Sequence, residues 1–152
     1  MDTILVCVDF SNVTDRVMAA ATKLAKALEA HACLLHVVAP DPVILTAPDV
    51  LGGVGPVLGG QSVPPRDTTE VRKKLQALAD GMTQAGVQAS ATLVQGVAAE
   101  TVLSQAARIA PQWVIMGSHG HGALYHLLAG SVTTAVLRRA GVPVLVVPAN
   151  KK

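Results

Sequence analysis

Residues 113–131 read WVIMGSHGHGALYHLLAGS. A short apolar run, 113–116, gives way to fifteen residues that hold four glycines and three histidines, and a helical pattern begins near Ser131. An apolar run of four bounded by glycine suits a strand buried on both faces. The segment is therefore a strand–loop–helix unit, and the bare backbone between strand and helix needs a reason. Glycine composition alone fits two readings. One is a flexible connector closed by a Gly-Ser cap. The other is a loop whose main-chain N–H groups converge on an anion at a helix N-terminus, with no Cβ to obstruct it.

The same unit recurs in both directions. Residues 3–8 (TILVCV) form an apolar, β-branched run that ends at Asp9 and Phe10. Ser11 is placed to cap a helix with its apolar stripe at Val13, Val17, Ala21, Leu24 and Leu28. Residues 32–38 (ACLLHVV) are a second buried strand. Six of the nine prolines and five of the thirteen glycines then fall between Pro40 and Pro65, which predicts a long loop over about 40–64. Asp67 with Glu70 resembles a capping box ahead of a helix carrying Val71, Leu75, Leu78, Met82 and Ala85, and Gly86 marks its stop. Residues 87–94 alternate Val87, Ala89, Ala91 and Leu93 with polar positions, as in a strand at or near an edge. A third helix holds Ala99, Val102, Leu103, Ala106 and Ala110, and VPVLVV (142–147) is the fifth strand.

Strands alternating with helices predict one α/β domain over 1–152, an open five-stranded parallel sheet with helices on both faces. With strands 1 and 4 as neighbours, in the order 3-2-1-4-5, the strand order reverses between them. Ligands bind such sheets beyond the carboxyl ends at that reversal. Asp9 and Gly117 then face one crevice.

Composition narrows the function. Apolar residues make up 51% and charged residues 14%, ample for a core and wrong for a disordered chain. Phe10, Trp113 and Tyr125 are the only aromatics and the net charge is +2, so nucleic acid is not an expected partner. No apolar stretch suits a membrane span, and MDTILVCVDF lacks a basic n-region, so a cytoplasmic protein with no signal peptide is expected. Cys7 and Cys33 sit in apolar runs without CxxC spacing and read as reduced thiols. All ten acids lie at or before Glu100, so the glycine loop occupies a carboxylate-free part of the chain.

Gly117-x-x-Gly120, nine residues, then Gly130-Ser131 matches the G-x2-G-x9-G-[S/T] pattern of the universal stress protein family. VCVDFS (6–11), LLHVV (34–38) and GVPVLVVP (141–148) resemble that family's first, second and last strands, in order and nearly throughout the chain. The resemblance implies an adenine nucleotide alpha hydrolase-like sheet, commonly dimeric through the C-terminal strand 142–147, and, for the subset with this motif, bound ATP. It implies that Asp9 approaches the ribose and that the backbone of Val38 reads the adenine edge. Met116 would line the nucleoside pocket. Gly117, His119 and Gly120 match the first half of the phosphate loop, and Gly130, Ser131, Val132 and Thr133 the second. Plainer roles stand beside these: Asp9 as a helix cap, Val38 and Met116 as core residues. Phe10 stands where small residues are also common in that family, which narrows the expected pocket rim.

The loop lacks the machinery of its better-known analogues. There is no GxxxxGK[ST] and no lysine between Gly117 and Thr133, and GSHGHG is out of register for a dinucleotide fingerprint. It offers dipoles rather than a fixed cation. Mg2+ could accompany ATP, with Asp9 the one carboxylate assigned to the crevice. His119, His121 and His126 are close in sequence, yet no Cys, Asp or Glu completes a metal set, and no dedicated metal site is expected. No catalytic residue is assigned. The expectation is a nucleotide-binding stress-response regulator with slow hydrolysis or none. A nucleotide-independent dimeric interaction protein and a weak ATPase are the alternatives.

Overall fold

The computed structural model describes residues 2–40, 67–118 and 130–149. The elements run β1 (Thr3–Cys7), α1 (Thr14–Leu28), β2 (His31–Val38), α2 (Thr69–Gln84), β3 (Ala89–Gln95), α3 (Ala98–Ile109), β4 (Trp113–Gly117), α4 (Ser131–Arg139) and β5 (Val144–Val147). The five strands make one sheet in the order β3-β2-β1-β4-β5, and every pairing is parallel. The expected fold and strand order are both present. The loop expected over about 40–64 lies outside the described residues, apart from Pro40.

The strand period of two sorts the core into two layers. Ile4, Val6, Ala32, Leu34 and Ile115 point to one face, where they meet Val17, Ala21 and Ala25 of α1 and Leu75, Ala79 and Met82 of α2. Leu5, Leu35, Val114 and Met116 point to the other, against Val102 and Ala106 of α3 and Val136 of α4. Central strands β1 and β4 are buried on both faces, which is why their sequences read as continuous apolar runs. The alternation in β3 reflects its place at the edge: Ala89 and Ala91 pack on the α1/α2 layer, whereas Ser90 faces the other way beside His31 and Cys33.

Element ends differ from the sequence expectations for local reasons. Ser11 does not cap α1. The cap position is Val13, without a side-chain bond, and the Ser11 hydroxyl instead donates to Asp9 Oδ1 at 2.6 Å. Asp67 does serve the start of α2, its Oδ1 accepting the Thr69 N–H at 2.9 Å. Glu70 does not close a reciprocal capping box; it pairs with Lys73 one turn on. Hydrogen bonding from Thr69 holds the Asp67 carboxyl below the usual range. Gly86 ends α2 at φ +85°, a left-handed turn that glycine adopts without strain. Strand β5 is shorter than 142–147 because Pro143 has no N–H to give a ladder, although its carbonyl still accepts the Val114 N–H.

Candidate functional site

The sheet order reverses between β1 and β4, whose register pairs Val6 with Ile115. The two strands end side by side, β1 running into Asp9 and β4 into Gly117 and Ser118. The residues just beyond the two strand ends therefore lie side by side at the carboxyl edge of the sheet, where its order reverses.

On the β4 side, Ser118 is the keystone. It is 4% exposed and makes three bonds. Its N–H donates to the Val147 carbonyl at 2.8 Å, its carbonyl accepts the Gly130 N–H, and its Oγ accepts the Ala149 N–H at 3.2 Å. The ends of β4 and β5 and the start of α4 are thereby tied to a single residue. Thr133, also 4% exposed, adds a second tie, its hydroxyl donating to the Gly117 carbonyl at 2.8 Å.

Held this way, α4 presents an open N-terminus. Gly130 is the cap residue at φ −67°, ψ 168°, and no side chain caps it. The first intrahelical bond runs from the Thr134 N–H to the Gly130 carbonyl. Among the described residues the N–H groups of Ser131, Val132 and Thr133 have no partner, as the first donors of a helix ordinarily lack one within it. Ser131 does not cap them, because it sits at the first helical position, from which a hydroxyl does not reach the next amides. The φ of Gly130 is open to any residue, so glycine is not required there by conformation. Among the described helices, α1, α2 and α3 each carry an acid in the first turn (Asp15, Glu70, Glu100), and α4 carries none. Its basic residues, Arg138 and Arg139, are at the far end, where they suit the helix dipole. There Arg139 grips Glu100 of α3 with both terminal guanidinium nitrogens, and that pairing holds the Glu100 carboxyl below its usual range.

On the β1 side, Asp9 Oδ1 accepts the Ser11 N–H at 3.0 Å and the Ser11 hydroxyl. Phe10 takes the left-handed conformation, φ 57°, and its ring lies 4.9 Å from that of His36. Cys7 ends β1 just below; burial pushes its thiol up to about 12, and the Asp9 carboxylate adds to the effect. Thr14, at the start of α1, keeps its Oγ1 buried without a partner among the described residues. One strand further out, Val38 closes β2, with its carbonyl accepting the Gly96 N–H at 2.9 Å.

The structure thus gathers Asp9, Gly117, Gly130, Ser131, Val132 and Thr133 at one end of the sheet, with Val38 nearby. Met116 is different: it is 4% exposed and belongs to the core under α3 and α4. His119 and Gly120 lie outside the described residues. Sequence reasoning passes over Ser118 and the hydroxyl bond of Thr133. A serine directly after a strand is the sole signal for the first, and nothing marks the second. Among the described residues no group of three His, Cys, Asp or Glu side chains could hold a metal ion.

The universal stress protein family model matches residues 1–148. The chain belongs to the universal stress protein family. Among curated members it is 28% identical to YxiE of Bacillus subtilis over 151 residues, covering 94% of this chain and 96% of that one. It is 32% identical to MJ0577 of Methanocaldococcus jannaschii over 80 residues, or 53% of this chain and 49% of the relative. The match to Slr1230 of Synechocystis is 36% identical and spans 42% of this chain but only 22% of that protein's length. In three dimensions this universal stress protein superposes on MJ0577 with a TM-score of 0.76 at 22% identity, covering 99% and 98% of the two chains. It superposes on a universal stress protein in complex with cAMP with a TM-score of 0.69 at 20% identity over 97% and 96%. A family protein from Arabidopsis thaliana with AMP bound gives 0.64 at 17% over 99% and 93%. No helix among the described residues is long and apolar enough to cross a membrane.

Proposed function

We propose that this chain binds an adenine nucleotide, ATP, in the crevice between β1 and β4, and acts as a nucleotide-dependent regulator in a stress response rather than as an efficient enzyme. The observation that carries the reading is the α4 N-terminus: three main-chain donors with no partner among the described residues, no side-chain cap, no acid in the first turn, and Asp9 beyond the end of the neighbouring strand. A phosphate tail completes such a terminus, because N–H groups and dipole both favour negative charge there. In this reading the amides of Ser131, Val132 and Thr133 take the phosphates, together with Gly117, His119, Gly120 and Gly130. Asp9 takes the ribose, the Val38 backbone takes the adenine edge, and Met116 forms the pocket floor. The solved relatives with cAMP and AMP bound lend it support. Asp9 would be the protein carboxylate able to hold an accompanying Mg2+, which would supply charge neutralisation for the nucleotide. The half-buried apolar edge of β5 suits pairing with a second copy, and two free cysteines suit the cytoplasm.

Thermal shift with ATP, ADP, AMP, cAMP and no ligand tests the reading. ATP at a hundredfold over its Kd adds about 2.7 kcal/mol, a rise of roughly 5–11 °C for a domain of this size. Gly130→Val, which fills the space before the amides, abolishes the rise; a rise that survives it removes the α4 terminus from the mechanism. Following ADP formation separates binding from turnover, and a rate near one per second would contradict the non-enzymatic reading.

A further inference from the structure

The turn that carries Asp9 is strained, and a histidine from the neighbouring strand holds it. Phe10 is a bulky residue at φ 57°, a conformation that side chains with a Cβ adopt only at a cost. Two sets of contacts offset that cost. Within the turn, Asp9 Oδ1 accepts both Ser11 donors, and the Ser11 carbonyl accepts the Thr14 N–H at 3.1 Å to start α1. Across the strands, His36 Nδ1 lies 2.6 Å from the Val8 carbonyl, and its ring packs on Phe10 at 4.9 Å with the planes tilted 58°. A carbonyl only accepts, so Nδ1 carries the proton in that bond. His36 thus grips the residues on both sides of Asp9, Val8 through a hydrogen bond and Phe10 through its ring. Because Oδ1 is taken by Ser11, Oδ2 is the oxygen left for a ligand, and no described residue donates to it.

We propose that His36 is a positioning residue for ribose recognition: its Nδ1–H bond to Val8 and its contact with Phe10 lock the turn so that Asp9 Oδ2 is presented to a ribose hydroxyl. This rests on the nucleotide reading above and assigns a role to a side chain that need not touch the ligand. The α4 amides belong to another rim, tied to Ser118 and Gly117, so His36 affects selectivity for the sugar and leaves the grip on the phosphates intact.

The test is the affinity of the full chain for ATP, 2′-deoxy-ATP, 3′-deoxy-ATP and inorganic triphosphate, in the wild type, Asp9→Asn, His36→Phe and His36→Asn. Loss of a hydrogen bond to a charged group weakens binding about tenfold. One deoxy analogue is therefore expected to bind wild type about tenfold more weakly than ATP, and Asp9→Asn to erase the difference. His36→Phe keeps a ring for Phe10 but has no donor. It is expected to shrink the difference to less than about twofold while triphosphate binding is unchanged, a split that general destabilisation does not produce. His36→Asn, whose amide can replace Nδ1–H, restores most of it. If wild type binds no adenylate, or Asp9→Asn keeps the discrimination, the nucleotide reading of Asp9 fails and this inference with it. If Asp9→Asn loses the discrimination and His36→Phe retains it, only the role of His36 is overturned. Should His36→Phe not fold, the wild type decides by long-range 1H–15N correlation: an Nδ1-protonated ring supports the lock, and a neutral Nε2–H tautomer rules it out.

Discussion

Thr133→Val separates a scaffold hydroxyl from a ligand-binding one. The substitution keeps the β-branched shape and removes only the donor. In the wild type that donor is buried, 4% exposed, and lies 2.8 Å from the Gly117 carbonyl. The variant sets a methyl group against that oxygen. A net hydrogen bond contributes about 0.5–1.5 kcal/mol, and a buried acceptor deprived of its donor costs about 1–3 kcal/mol. The expected loss is roughly 1–2 kcal/mol, or about 2–8 °C in Tm for a chain of this length. Urea unfolding and thermal melts without nucleotide measure it, with Thr133→Ser as the control that restores the hydroxyl and most of the stability. The Thr133 main-chain N–H is untouched, so the additional stabilisation given by saturating ATP is expected to persist, reduced only as far as α4 shifts on β4. A Thr133→Val protein that melts like wild type but loses its response to ATP would refute this reasoning, because the hydroxyl would then be serving the ligand and not Gly117.

Two other contacts give measurable outcomes. Burial raises the Cys7 thiol from 9.0 to about 12, so the folded state keeps that proton longer than the unfolded chain. The contribution of Cys7 to stability should be complete below pH 9 and be lost above it, at most by about 1.4 kcal/mol per pH unit; urea midpoints between pH 8 and 11 should show the decline in wild type and a flatter profile in Cys7→Ala. At Gly96 an added Cβ would stand 2.5 Å from Thr101 Oγ1. Gly96→Ala is therefore expected to lose about 1–3 kcal/mol, most of it recovered in the Gly96→Ala/Thr101→Ala double variant, and a double-mutant cycle without coupling would remove that contact as the cause.

The fold is legible in the sequence because each element announces itself locally. The runs 3–8, 32–38 and 113–116 are continuous where the sheet is buried on both faces, and 87–94 alternates where it becomes an edge. The α1 stripe points to the same conclusion at Val13, Val17 and Ala21, which are buried, whereas Leu24 and Leu28 are only partly buried and Ala25 takes the inner position instead. The strand ends that carry the proposed site are marked in the sequence by Gly117 and Gly130, and Asp9 stands out as an acid ending an apolar strand. Ser118, Phe10 and His36 are not readable in the same way. Their roles depend on which strands become neighbours: Ser118 acts only because β5 lies beside β4, and His36 reaches Val8 only because β2 lies beside β1. Capping at Ser11 and Ser131 is misleading for a related reason. A serine near a helix start looks like a cap, but Asp9 captures the first and Gly130 takes the cap position ahead of the second.

The chemistry of the α4 rim also bears on turnover. Phosphoryl transfer is accelerated by groups that bind the transferring phosphoryl more tightly in the transition state than in the ground state, such as an arginine finger or a positioned base for the attacking water. Main-chain amides at a helix start hold a phosphate tail without discriminating strongly between the two. Among the described residues the cations of α4 are Arg138 and Arg139, both in its last turn and the second already engaged by Glu100. The acid placed at the crevice, Asp9, has one oxygen committed to Ser11. Such a rim can give affinity with little rate enhancement. On the nucleotide reading proposed above, the protein would convey information by being occupied or empty, which requires that its two states differ in their affinity for a partner or for a second copy.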